Sequence, residues 1–285
     1  MIKFLHSLLL LFIIQSSACA AKDDLVFDKR YFECENQWIV LPKQESEQEY
    51  MVCYLYLDRS AGFTLKLQGD LTISPEGKYI FEANDESKNM IFRIPQDYVL
   101  VAILPEARRT EMNIPAQPDW VKIYREGEDD TDQLIRRGWH FNHVGASGLA
   151  LSPLLKAYKR DAHAEGLEFE LAYAYNAEGK FDKAIEVLNK ALKKDPKNYM
   201  FFRELGYAYL HIEKVTDAEK TYKKGISLSD NRVEQSEMAF NMAGHYFKTK
   251  NKKKFDEWAA EFHKYADKDM VYYEYLEKMQ EQFGK

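Results

Sequence analysis

Residues 171–198 read LAYAYNAEGKFDKAIEVLNKALKKDPKN, and their pattern indicates how the C-terminal part of the chain folds. Apolar residues recur three and four positions apart in two segments, which indicates two amphipathic helices. A polar turn containing Gly179 separates them, and Pro196 ends the second because proline cannot continue a helical hydrogen-bond ladder. Small residues stand at Ala172 and Ala184. The sequence therefore predicts an antiparallel helical hairpin whose helices cross closely at these alanines.

The stretch returns 34 residues later as LGYAYLHIEKVTDAEKTYKKGISLSDNR, at 205–232. Residues at the predicted helix crossing are small in both copies: Gly206 corresponds to Ala172, and Ala218 corresponds to Ala184. One hairpin cannot bury its apolar face alone, so repeated hairpins must stack. The sequence thus predicts a stacked array, with a non-repetitive helical bundle as the alternative.

A third copy is looser. Gly206 aligns with Gly244 at an offset of 38 in the first helix, and Ala218 aligns with Trp258 at an offset of 40 in the second. These offsets predict two extra residues in the internal turn, within the lysine-rich stretch KTKNKKK. The final segment, DMVYYEYLEKMQEQF, has apolar residues at helical spacing and is predicted to form a capping helix.

The series of small, aromatic, Ala, Leu, Ala and Pro residues resembles the tetratricopeptide repeat family over about Glu165 to Ala266. In that family the first helix of each repeat lines a concave groove that takes an extended peptide or a partner helix. The resemblance implies a groove for a protein or peptide partner lined by Phe169, Tyr173, Asn176, Met200, Arg203, Tyr207, His211, Met238, Asn241, His245 and Lys248.

In this groove Arg203 is expected to bind a partner carboxylate in bidentate fashion. The aromatic and methionine side chains provide contact area. The family's clamp of paired Lys and Asn residues is not present, so a free C-terminal peptide is not specifically implied. The alternative is that the chain's own N-terminal domain or linker fills the groove.

The N-terminus reads MIKFLHSLLLLFIIQSSACAAKDD. Lys3 gives a positive start, Leu8–Ile14 is an apolar run too short to span a bilayer, and Ala18-Cys19-Ala20 is a small-x-small cleavage site. The sequence therefore predicts a signal peptide over residues 1–20, a mature start at Ala21, and a periplasmic or secreted protein.

The alternative location is a membrane, through a lipid anchor on Cys19. In a bacterial lipoprotein signal a branched apolar residue is expected where this sequence has Ser16, which favours simple cleavage. Loss of residues 1–20 removes Lys3 and moves the net charge from −6 to −7. An acidic chain without a basic stripe argues against a nucleic-acid partner.

From about Val26 to Ile123 the apolar period is two, as in YMVCYLYL, and turn signals punctuate the runs. This alternation predicts an antiparallel β-sandwich or barrel-like domain of six to eight strands. Cys34 and Cys53 would form a disulfide in an oxidising compartment, stabilising by about 3 kcal/mol. Two buried free thiols are the alternative.

The predicted fold class is therefore α+β, in two domains. The signal peptide covers residues 1–20, the β-domain 21–124, a linker or transition 125–151, and the helical-repeat domain 152–285. The acidic stretch REGEDDTDQ marks the linker. Ser152 as cap and Pro153 at the first position are expected to begin the first helix of the repeat domain.

Two histidines, His140 and His143, are the strongest enzymatic signal, because on a helix their spacing lets them share one metal. No Cys, Asp or HExxH completes a set nearby, and no nucleophile, phosphate-loop or dinucleotide motif occurs. We expect no cofactor, no metal and no catalytic residue. The predicted function is an exported protein-interaction module: scaffold, adaptor or neutralising partner. The alternatives are an envelope enzyme, with its site in the β-domain or at these histidines, and a lipid-anchored assembly factor.

Overall fold

The computed structural model describes residues 25–83, 90–95 and 98–283. The predicted signal peptide, Cys19 and Ala21 lie outside these residues. Within the described ranges, no helix is long and apolar enough to cross a membrane. An antiparallel sheet comes first and a helical array follows, which confirms the predicted α+β class.

The strands are β1 (Gln37–Val40), β2 (Tyr50–Asp58), β3 (Gly62–Ile73), β4 (Tyr79–Ala83), β5 (Ile91–Arg93) and β6 (Ala102–Ile103). They lie in the order β4-β3-β2-β1-β6, and β5 pairs with the N-terminal half of β3. In the described part of the chain, the strands thus form one antiparallel sheet rather than the two sheets of the predicted sandwich.

Both faces of this sheet are buried, which explains why β2 carries apolar residues on both sides. Val52 and Tyr54 pack with Ile114 and Val121, from the segment that contains α1 (Glu106–Glu111) and α2 (Lys122–Arg125). The alternate residues, such as Leu55, face the helical array. Helices and a loop therefore cover the apolar faces for which the sequence predicted a second sheet.

The predicted disulfide is absent from the structure, where Cys34 and Cys53 are both buried free thiols. The register of the β1–β2 ladder pairs Cys53 with Ile39. Cys34 lies before β1, where its Sγ is 3.7 Å from the carbonyl oxygen of Arg30. The chain therefore buries both thiols in its core, as the alternative interpretation expected.

Four helical hairpins and a final helix follow, within the described residues. Their helices are α3 (Thr131–His143) with α4 (Ser147–Arg160), α5 (Leu167–Ala177) with α6 (Phe181–Lys194), α7 (Tyr199–His211) with α8 (Val215–Leu228), α9 (Arg232–Lys248) with α10 (Lys252–His263), and α11 (Val271–Phe283). A turn of three residues joins the helices of every hairpin.

The four turns share one backbone conformation. The middle residue has positive φ each time: Gly145 at 75°, Gly179 at 68°, Glu213 at 61° and Lys250 at 58°. Its N–H and that of the next residue donate to carbonyl oxygens at the end of the first helix, at 2.8–3.2 Å. Glycine adopts this conformation at little cost. The hairpins are therefore one structural unit used four times.

The first hairpin lies where the sequence predicted a linker, so this prediction is corrected. The same 34-residue offset that relates the later copies places Gly138, Phe141, Ala150, Leu154 and Ala157 at the repeat positions. A Cβ built on Gly138 would lie 2.4 Å from the Leu154 side chain, so the two helices cross closely there.

The start of α4 also differs from the prediction. The helix begins at Ser147 rather than after Ser152, and Pro153 lies inside it. Proline at this place removes one helical hydrogen bond. The proline is buried, and burial of its apolar ring offsets part of this cost.

The register of the last hairpin is corrected as well. Its turn has no extra residues, and α9 is longer instead, with 17 residues against 13 in α7. The turns place this hairpin 37 residues after the previous one, so Ala243, not Gly244, aligns with Gly206. A Cβ on Gly206 would lie 2.6 Å from Tyr222, whereas nothing lies within 4 Å of one on Gly244.

One continuous core joins the sheet to the first hairpins. The rings of Phe63 on β3 and Phe141 on α3 lie 5.4 Å apart, edge to face. Arg137 on α3 donates to Glu35 at 2.6 Å, beside this contact. The sheet therefore caps the N-terminal end of the helical array, and α11 packs on α9 at the other end.

Candidate functional site

The first helices of the hairpins form the inner face of the array. α3 contacts α5, α5 contacts α7, and α7 contacts α9, whereas the second helices of neighbouring hairpins lie farther apart. An array in which one set of helices lies closer together curves toward that set. The concave face is therefore lined by α3, α5, α7 and α9.

An aromatic ladder runs along the concave face. It consists of Trp139, Tyr173 and Tyr207, one from each of the first three hairpins at intervals of 34 residues. Trp139 is 44% exposed and Tyr173 38%, and Tyr207 is half-buried. The fourth position is Gly244, so the ladder ends in open space at α9.

Arg203 lies between the rungs but is not free to bind a partner, which corrects the prediction. Its Nε and Nη2 donate to Glu204 at 3.1 and 3.0 Å, and it also contacts Glu234. Glu237 lies 4.0 Å away, and the guanidinium carbon lies 5.2 Å from the centre of the Phe169 ring. The chain's own carboxylates therefore occupy the arginine.

Asn176 is also removed from the predicted groove, because it is buried between hairpins. Its Nδ2 donates to the carbonyl oxygen and to a carboxylate oxygen of Glu204, at 3.0 and 2.9 Å. Asn142 makes the same two bonds to Glu170, at 3.0 and 2.8 Å. These amides hold two glutamates in fixed positions beside the ladder.

Four carboxylates thus surround the centre of the concave face with Arg203 as the cation among them, and we name Glu170, Glu204, Glu234 and Glu237 the acidic cluster. Burial raises the pKa of the Glu170 and Glu237 carboxyls above their ordinary value, although the charge of Arg203 opposes this. The negative charge of the cluster is therefore only partly compensated within the protein.

The other predicted groove residues differ in how far they are exposed. Met238 is fully buried, because the true register turns it into the core. Phe169, Met200, Asn241 and His245 are half-buried, and His211 and Lys248 are exposed. Sequence reasoning missed Trp139 and the acidic cluster. The backward 34-residue offset from Tyr173 to Trp139 was the signal that could have found the first rung.

The rings of His140 and His143 both contact Trp139, at 4.8 and 5.1 Å. His140 is buried against the sheet, and the exposed His143 stacks on the indole at 5.1 Å. Burial lowers the pKa of His140. No group of three or more potential metal ligands occurs in residues 25–83, 90–95 and 98–283.

The β2–β3 turn borders the ladder without covering it. Arg59 and Ser60 of this turn line a cleft of about 580 Å³ together with Ile135 and Trp139. The alternative prediction is that the β-domain fills the groove. Within the described residues, the sheet lies at one end of the concave face and leaves the rest of it open.

The geometry defines a class of helical-hairpin repeat proteins with an open inner face. Residues 169–232 match the family model described as tetratricopeptide repeat. The chain therefore contains tetratricopeptide repeats, as its sequence predicted for about Glu165 to Ala266. The fold supports a role as a protein-interaction scaffold.

No curated protein matches the chain. Among solved structures, it is similar to MamA 41-end from Desulfovibrio magneticus RS-1, with 15% identity over 63% of this chain and 93% of that one, at a TM-score of 0.43. A structure titled MamA AMB-1 C2221 shows 18% identity over 48% of this chain and 79% of that one, at 0.40. A third, titled Crystal structure of MamA, shows 16% identity over 64% and 98%, at 0.42.

Proposed function

We propose that this protein is an exported interaction module that binds an extended, positively charged segment of a protein partner along its concave face. The observation that carries the proposal is the aromatic ladder beside the acidic cluster. Exposed aromatic rings at regular intervals contact a linear chain one segment at a time. They also attract cationic side chains through their negative faces.

The negative charge of the acidic cluster favours a partner segment that carries positive charge. Glu170, Glu204, Glu234 and Glu237 face one arginine, and burial has already raised the pKa of two of them. A lysine or arginine side chain brought beside them would compensate a carboxylate that is partly desolvated, where ion pairs are stronger than in water. An acidic segment would meet repulsion at the same place.

Export rests on the sequence of residues 1–20, with their positive start, apolar run and small-x-small site. Intact mass of the protein purified from an envelope fraction tests it. A chain starting at Ala21 supports export by simple cleavage, whereas a lipid-modified Cys19 would replace this part of the proposal with a membrane anchor.

Binding is tested with fluorescent peptides of alternating Lys and Gly, and with alternating Glu and Gly as the charge-reversed control. We expect the lysine peptide to bind and its affinity to fall with salt. Tyr173→Ala combined with Tyr207→Ala should weaken binding about tenfold. Tyr275→Ala, an exposed tyrosine on α11, is the matched control. Equal binding of both peptides, or no effect of the double change, would refute the proposal.

A further inference from the structure

A second candidate site lies where the β2–β3 turn packs against α3. Behind the 580 Å³ cleft is a smaller cavity of about 40 Å³, named here the inner pocket, and Arg59, Arg136 and His140 line both. The charged residues of the inner pocket, His140 aside, are Glu35, Arg59, Arg125, Glu128, Arg136 and Arg137. A chain of net charge −6 thus gathers four guanidinium groups at one place.

Two of these arginines are neutralised by neighbours. Arg125 donates from Nε and Nη2 to the two carboxylate oxygens of Glu128, at 2.9 and 2.8 Å. Arg137 donates to Glu35 at 2.6 Å. The two carboxylates of the inner pocket are therefore engaged. The outer cleft adds Asp132, Glu165 and Glu170, and within the described residues none of them forms an ion pair with the other two arginines.

Arg59 and Arg136 make no ion pair within the described residues. Arg136 is exposed, but the Nη2 atom of Arg59 is buried and has no hydrogen-bond partner in the described part of the chain. A guanidinium only donates hydrogen bonds, and a buried donor left unpaired is costly. Arg59 therefore needs an acceptor in this pocket.

His140 has the opposite requirement. It is only 7% exposed, and its Nε2 has no hydrogen-bond partner among the residues that the structure describes. The ring hydrogen-bonds the backbone of Arg59, and a Cβ built on Gly62 would lie 3.0 Å from Nδ1. Burial lowers the pKa of the imidazole, so the ring is neutral near pH 7. One ring nitrogen then carries the proton that bonds the backbone, and Nε2 is an acceptor that needs a donor.

We propose that the inner pocket binds hydrogen phosphate. This anion carries two negative charges for the two uncompensated arginines, oxygen acceptors for Arg59 and Arg136, and one hydroxyl that donates to Nε2 of His140. The inner pocket shares Arg59, Arg136 and His140 with the outer cleft of about 580 Å³, which provides both the entrance and the room for an anion larger than water. Trp139 and Glu170 of the concave face line the entrance, but a titration with phosphate alone tests the pocket separately from partner binding.

Sulfate is the sharpest comparison, because it has the shape and charge of hydrogen phosphate but no hydroxyl. We expect calorimetric titration of the full protein near pH 7.5 to show saturable binding of inorganic phosphate, at least tenfold tighter than that of sulfate. Methyl phosphate separates the free anion from a phosphoryl group on a larger molecule, and it should bind more weakly than inorganic phosphate.

Two variants test the assigned roles. Arg59→Gln should weaken phosphate binding at least tenfold, because a charge-assisted donor is lost. His140→Phe keeps a ring but removes the acceptor, so phosphate and sulfate should bind it equally. Lys193→Gln, an exposed change of the same charge on α6, should alter neither affinity.

The proposal is overturned if the wild type gives no saturable heat with phosphate, or if sulfate binds it as tightly. Methyl phosphate binding as tightly as the free anion would equally overturn the assignment of hydrogen phosphate. Arg59 lies on a turn, so Arg59→Gln tests the site even if the buried His140→Phe variant does not fold. An unchanged phosphate affinity in a folded Arg59→Gln variant would also refute it.

Discussion

The side-chain amide of Asn176 donates to both the backbone carbonyl and the carboxylate of Glu204, at 3.0 and 2.9 Å, and so ties one helical hairpin to the next. Asn142 and Glu170 make the same joint one hairpin earlier. The joint orients the hairpins and also fixes a carboxylate beside the aromatic ladder. Stability and the charge of the binding face therefore depend on the same side chains.

Replacing Asn176 with alanine should lower the free energy of unfolding by about 1–3 kcal/mol, because the buried carboxylate of Glu204 loses a hydrogen-bond donor. Denaturant unfolding measures this loss. Asn189→Ala, at an exposed position on α6, is the control and should change stability by less than about 0.5 kcal/mol. Equal effects of the two changes would mean that the joint contributes nothing.

The register of the last hairpin is tested by a pair of glycine substitutions. Gly206→Ala places a Cβ 2.6 Å from Tyr222 and should cost about 1–3 kcal/mol through overpacking. Gly244→Ala meets nothing within 4 Å and should stabilise by about 0.5–1 kcal/mol, because alanine favours the helix. Thermal unfolding of both proteins gives the comparison. The reverse order would restore the register first predicted from the sequence.

The two cysteines should be unreactive in the folded protein. Burial raises the pKa of the Cys34 thiol to about 11 and that of Cys53 to about 12, so almost no thiolate exists at pH 8. A thiol reagent should label neither residue in native protein and both after denaturation without reductant. Finding no thiol in the denatured protein would instead establish the disulfide that the sequence predicted.

Arg203→Ala should destabilise the array by about 3 kcal/mol, because it leaves Glu204, Glu234 and Glu237 facing one another without their cation. The loss should depend on pH. Without the arginine, the pKa of the Glu237 carboxyl rises further above its unfolded value. Protonation of this carboxyl therefore stabilises the folded protein at low pH, and this stabilisation is lost as the pH rises through the folded pKa.

The variant should therefore approach wild-type stability as the pH falls from 7 toward 5, and unfolding curves at several pH values measure this. Lys190→Ala, an exposed partner of Glu186, is the control and should show little pH-dependent difference from wild type. A constant gap between Arg203→Ala and wild type would contradict the role of the carboxylates.

The local sequence was sufficient to predict the helical hairpins in which the small residues of the repeat occur in the expected order. Ala172 and Ala184 are fully buried at a helix crossing, as their spacing predicted. The first hairpin is not evident from local sequence, because Gly138 and Gly145 disfavour a continuous helix there. In the structure Gly138 is the small residue of a crossing, and Gly145 is the positive-φ residue of the turn.

The candidate site was less predictable, because its chemistry arises from contacts between helices. The charge of Arg203 is evident in the sequence, but its partners Glu234 and Glu237 come from α9. The register of this hairpin was hard to fix because Phe255 stands where the earlier copies have a small residue. The shift of one position placed Met238 in the groove. The sheet was similarly ambiguous, because strands covered by helices and strands covered by a second sheet carry the same apolar pattern.

The packing at both ends of the helical array sets the length of its concave face. Within the described residues, the sheet packs on the first hairpin and α11 packs on α9, so each end of the array is covered by a different element. The aromatic ladder has three rungs between these ends, at Trp139, Tyr173 and Tyr207. If the proposed partner binds along this ladder, its affinity should stop increasing once the bound segment spans three rungs.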